Sequence, residues 1–108
     1  MSGPCYLHAL GIVNALGSGA ADVSERLFAG DTGGMVLEEG WVPASAARVG
    51  RARGELAEVP ASLAKYACRN NRLLLTALGQ IEGAVAEALE RFGGSRIGVV
   101  LGTSTTGM

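Results

Sequence analysis

The apolar positions of this chain fall into blocks whose periodicities differ. Cys5 to Val13 reads CYLHALGIV, apolar on both parities, β-branched at its end and interrupted by His8 and Gly11. That pattern predicts a strand buried on both faces, as in parallel sheets. Gly17 and Gly19 then bracket Ser18, a suitable helix N-cap. Residues 19–29 predict a short helix with Val23, Leu27 and Phe28 on one face, closed by Gly30 in the left-handed conformation. Residues 31–60 carry Gly33, Gly34, Gly40, Pro43, Gly50, Gly54 and Pro60, and are long for a loop in a compact domain. Two readings stand open there: a short edge hairpin around Trp41–Val42 and Arg48–Val49, or an excursion that packs on another part of the protein.

Helical pattern resumes at Pro60 and Ser62, with Leu63, Tyr66 and Ala67 as its apolar face, and is interrupted by the polar tetrad Arg69, Asn70, Asn71 and Arg72. Asn70 is a candidate cap. Beyond it Leu74, Leu78, Ile81, Val85, Ala88 and Phe92 recur at alternating spacings of four and three, which predicts one long amphipathic helix ended by Gly93 and Gly94. Gly79 and Gly83 lie on one face of it, and small residues there suit close approach of a neighbouring element. Arg96 to Leu101, RIGVVL, predicts a second buried strand, running into the small polar loop Gly102 to Met108. The two strands are expected to be parallel and joined by a right-handed crossover. Open α/β sheets place ligands at the carboxyl ends of such strands. Two strands do not make a sheet that stands alone.

Composition sharpens that last point. The chain has 108 residues, of which 48% are apolar and 18% charged, against about 25% charged in ordinary domains. A short chain keeps much of its surface in water, so this apolar excess implies faces covered by protein outside the segment. The net charge of −1 speaks against a nucleic-acid footprint. Arg48, Arg51 and Arg53 are too sparse for a phosphate-tracking groove. Cys5 and Cys68 lack metal-ligand spacing and read as small buried hydrophobes in a reducing compartment. His8 reads as a strand histidine. No signal-peptide pattern opens the chain and no window approaches the roughly 18 apolar residues of a membrane span, so a cytoplasmic protein is the expectation.

The ends of the chain resemble a known family. CYLHALGIVNALG looks like the first strand of β-ketoacyl synthases with its short turn at Asn14 to Gly17, and SERLFAGDTG like their first helix and its exit. RNNRLLLTALGQIEGAVAEAL resembles the long helix that crosses their sheet, and RIGVVLGTSTTGM the second strand and its glycine-rich loop. The RNNRLLL form is most similar to the subgroup of aryl-polyene-type and related lipid or polyketide clusters. The resemblance implies an α/β chain that is part of the thiolase-like α-β-α-β-α sandwich. Residues 1–108 would be the first βαβ portion of its N-terminal half, with the remainder outside this chain.

The implied activity is that of a 3-oxoacyl-[acyl-carrier-protein] synthase in fatty-acid, aryl-polyene or polyketide biosynthesis, which performs a decarboxylative Claisen condensation through a cysteine nucleophile, a pair of histidines and an oxyanion hole. That nucleophile lies beyond Met108 and both histidines lie in the second half, so neither Cys5, Cys68 nor His8 matches a catalytic position. By match to the loop after the second strand, Thr105 contacts the acyl chain, with Thr106 beside it; a turn-forming Ser/Thr run is the competing reading. The loop lacks the GxxxxGK[ST] phosphate pattern. No metal or nucleotide cofactor is implied. The implied partners are acyl carrier protein bearing phosphopantetheine-linked acyl and malonyl groups, the remaining part of the synthase, and a second subunit in a homo- or heterodimer. Two other readings stand beside this one. The first is a non-catalytic partner subunit of the chain-length-factor type, which a residue other than Cys after the next strand would signal. The second is an unrelated small α/β binding domain, which would have to fold cooperatively alone.

Overall fold

The computed structural model describes residues 3–103. Two features punctuate its first segment. Residues 5–12 run without strand hydrogen bonds, and Val13 then forms an isolated antiparallel bridge with Ser18 across the turn. That turn is built by Asn14, whose Oδ1 accepts from the Leu16 and Gly17 amides at 2.9 and 3.3 Å while its own amide donates to the Gly17 carbonyl at 3.0 Å. A short amide side chain bonding its own backbone two residues on is the usual means of closing such a turn.

Helix α1, Ala20–Phe28, follows. Its cap is Gly19 at φ 99°, one residue later than Ser18. Ser18 contributes through its backbone instead, donating its amide to Asp22 Oδ2 at 3.1 Å. The far end matches expectation: Gly30 takes φ 67°. The Asp31 amide reaches the Arg26 carbonyl and the Gly30 amide the Leu27 carbonyl, the paired bonds of a Schellman terminator. Arg26 bridges Asp22 at 2.8 Å and Asp31 at 3.2 Å, tying the helix to its exit.

The irregular middle resolves in favour of the hairpin. Strands β1, Met35–Val42, and β2, Ser45–Gly50, pair antiparallel from Met35↔Gly50 to Glu38↔Ala47 and again at Val42↔Ser45. Three residues of β1, Glu39 to Trp41, stand opposite Ala46 alone, so the register breaks in a bulge. Gly40 occupies the bulge at φ 90°, a conformation open to glycine at little cost. Pro43 and Ala44 form the two-residue connection, with Ala44 at φ 58°. The open end of the hairpin packs on the Asn14–Gly17 turn: a methyl on Gly34 would overlap the Ala15 carbonyl, and one on Gly50 would lie 3.0 Å from the Ala15 Cβ.

A 3₁₀ helix, Ala61–Tyr66, precedes α2, Arg69–Gly79, and α3, Glu82–Phe92. The apolar stripe that predicts one helix is therefore carried by two. The break falls at Gln80 and Ile81, where Ile81 has φ −117° and ψ 7° and the amides of both turn back to carbonyls three residues earlier. Gly79 and Gly83 flank the break and weaken helix there. Gln80 spends its side chain elsewhere: Oε1 accepts from the Ile12 amide at 2.9 Å, and Nε2 donates to the Ile12 carbonyl and Ser18 Oγ, both at 3.1 Å. Gly93, at φ 75°, ends α3 as expected, and a single 3₁₀ turn, Gly94–Arg96, leads out.

The hydrogen-bonded sheet among the described residues is the β1–β2 hairpin. Neither 5–12 nor 97–103 carries ladder bonds, so the expected parallel pair is not formed between them. The reason lies in what surrounds them. Tyr6, Leu7, Val99 and Val100 are all at least three-quarters exposed, Leu7 at 97%. Parallel strands are stable only when both faces are covered, and nothing here covers them. Among the described residues only Val23, Gly34 and Ala88 are buried, and Val23 and Ala88 each keep 8% of their surface exposed. The accessible surface is 8672 Å², against about 5,600 Å² for a folded monomer of this mass. The radius of gyration of 16.9 Å likewise exceeds the roughly 13 Å of a compact domain of this length. Against Gly79 and Gly83, where a neighbouring element is expected, no other group stands within 4 Å of an added methyl.

Two outcomes follow from this packing. The 108-residue chain expressed alone will unfold without a cooperative thermal transition and will bind a hydrophobic dye before heating; a sharp two-state melt would contradict the open core. In the full-length protein, Gly11→Ala will lower the denaturation midpoint by about 1–3 kcal/mol of stability, because its methyl would overlap the Ala77 carbonyl of α2.

Candidate functional site

Thr105 and Thr106, the residues expected to meet an acyl chain, lie outside the described residues. The described chain reaches the start of their loop at Thr103, whose hydroxyl donates to Asn70 Oδ1 at 3.0 Å across 33 residues of sequence. Asn70 is not the cap of α2; that position is Cys68, and Asn70 stands second in the helix. The polar tetrad that interrupts the apolar pattern thereby acquires a purpose. Asn70 holds Thr103, while Asn71 Nδ2 donates to the Tyr66 carbonyl at 2.7 Å. Arg72 spreads its guanidinium over the Leu56 and Ala57 carbonyls at 3.1 and 3.2 Å and Glu58 Oε1 at 2.6 Å. Thr76, one turn on, accepts the Ala57 amide at 2.8 Å. One helical end so gathers two segments that are remote in sequence, Leu56–Glu58 and Thr103, and the 3₁₀ helix just before it.

No nucleophile stands beside a base in the described residues. Cys5 is exposed, Cys68 half-buried at the α2 cap, and His8 exposed in the first segment. No group of three or more His, Cys, Asp and Glu side chains converges as a metal site among the described residues. The clefts among the described residues are shallow. One is lined by Asp22, Glu25, Arg26, Ala29 and Asp31, another by Gly54, Glu55, Leu56, Glu58, Arg69 and Arg72. Their charged groups are largely engaged in the ion pairs already described. No helix among the described residues is long and apolar enough to cross a membrane.

The resolved electrostatics serve structure. The Asp22 carboxyl is held below the ordinary value by its hydrogen bond from Arg26 and then by the Ser18 amide. Asp31 is held down first by the Gly33 amide. Glu38 is held down by Arg51, which binds it with two nitrogens at 2.5 and 2.7 Å, and next by the Trp41 indole N–H at 2.9 Å. This trio spans the bulge and fixes its shape.

No family model matches the chain, and no curated protein does. A solved structure does. The chain is similar to one from a complex described as a ketosynthase (ApeO) with its chain length factor (ApeC), from Xenorhabdus doucetiae. The identity is 39% over 82% of this chain, with a TM-score of 0.74. This chain is a ketosynthase-like segment of the thiolase superfamily. It spans 22% of the length of that structure's chain, which accords with the open apolar faces of this ketosynthase-like segment. Its mixed helix and strand content fits the same match.

The bond from Thr103 to Asn70 is not among the sequence expectations. Asn70, Arg72 and Gln80 were legible only as polar residues inside an apolar helical pattern. That interruption was the available signal, since a polar side chain facing inward needs a partner.

The Glu38 contacts make the hairpin acid-sensitive. A carboxyl whose folded value is depressed contributes stability above its ordinary value, 4.5 here, and loses that contribution as pH falls through the folded value. In the full-length protein, the Trp41 indole N–H resonance, assigned by its loss in Trp41→Phe, will move as pH drops below that range. In Glu38→Gln it will stay at one position; a parallel shift in Glu38→Gln would exclude Glu38 as the titrating group.

Proposed function

We propose that this chain forms the N-terminal part of a β-ketoacyl-[acyl-carrier-protein] synthase whose full length carries out decarboxylative Claisen condensation. The observation that supports it is the 39% identity across 82% of the chain with a member of a ketosynthase–chain length factor assembly. In this reading residues 1–108 open the N-terminal half of the thiolase-like sandwich. The segments around 5–13 and 96–101 then enter a sheet whose other strands come from the rest of the protein. The cover that Tyr6, Leu7, Val99 and Val100 lack is supplied by those strands and their helices.

The chemistry belongs to the assembled enzyme. An acyl group passes from the phosphopantetheine thiol of a carrier protein to a cysteine thiolate. A malonyl group on a second carrier loses CO₂. The resulting carbanion attacks the cysteinyl thioester, and the thiolate departs as the new carbon–carbon bond closes. The nucleophile and the histidine pair lie beyond Met108, and no metal or nucleotide takes part. What this segment contributes is the loop at Thr103 to Met108, with Thr105 and Thr106 against the growing acyl chain. Pairing with a second subunit, and a cytoplasmic location, belong to the same reading. The heterodimeric form is supported by the similar ketosynthase having been solved with its chain length factor. That same assembly favours a second reading, in which this protein is the non-catalytic partner of chain-length-factor type.

Two measurements decide between and against these. Incubation of the full-length protein with acyl-loaded carrier protein, followed by denaturing intact-mass analysis, will give an acyl adduct on a cysteine beyond Met108. A partner subunit will take no adduct and will instead alter product length when combined with an active synthase. Thr105→Phe in the full-length protein will lower the long-primer to short-primer ratio of kcat/KM by about ten-fold or more, as expected when a pocket loses room for methylenes. An unchanged ratio would remove Thr105 from the pocket.

A further inference from the structure

We draw no further inference here: the strongest candidate, the patch of exposed apolar side chains at Met35, Leu37 and Trp41 on the β1–β2 hairpin, carries nothing, because nothing in the structure shows what covers it.

Discussion

The contact on which the described fold depends is the meeting of the Gly11–Ile12 backbone with the end of α2. Gly11 lies so close to the Ala77 carbonyl that no side chain fits between them. Beside it, the Gln80 amide gives Ile12 an acceptor and a donor, much as a neighbouring strand would. A chain segment without ladder partners would otherwise leave both polar groups to solvent or unmet. The side-chain clamp satisfies them and sets the position of the first segment on the helix. From this point the other elements hang: the Asn14 turn follows, α1 begins two residues after its bridge, and the open end of the hairpin rests on Ala15.

The cost of the clamp is borne by the helix. Gln80 leaves the helical ladder, and the apolar stripe from Leu74 to Phe92 is divided between α2 and α3. Amphipathic periodicity reports which faces are apolar; it does not report whether the backbone between them is continuous. The glycines at 79 and 83 made the break affordable in conformational terms, and the demand of the Ile12 backbone determined where it falls.

Local chemistry made much of the rest legible. Gly30 and Gly93 take the left-handed backbone at helix ends because a Cβ is disfavoured there. The hairpin over Met35–Gly50 forms where turn residues and β-branched residues alternate, and Gly40 allows its bulge. Ser18 and Asn70, each a reasonable cap by type, are displaced by one and two positions from the caps observed, Gly19 and Cys68. Capping preference is a short-range energy of about 1 kcal/mol, and a tertiary bond of similar size is enough to reassign the side chain. Asn70 is the clear case, its oxygen being used by Thr103. The bond between Asn70 and Thr103 was not legible in the sequence, because no periodicity encodes a bond across 33 residues.

By itself the sequence determined the glycine-terminated helix ends at Gly30 and Gly93 and the apolar character of the two outer segments, and offered the hairpin as one of two readings, since each follows from glycine conformation, turn chemistry or hydrophobic pattern within a few residues. It also carried the family resemblance, which rests on the order of those same pieces. Tertiary structure alone decided that Gln80 breaks a helix to serve Ile12 and that Asn70 and Arg72 hold segments far along the chain. It also decided that Leu7 and Val100 stand almost fully in solvent. The physical reason is the same in each instance. Burial and polar satisfaction depend on which groups meet in space, and in this chain the apolar surface exceeds what its own residues can cover.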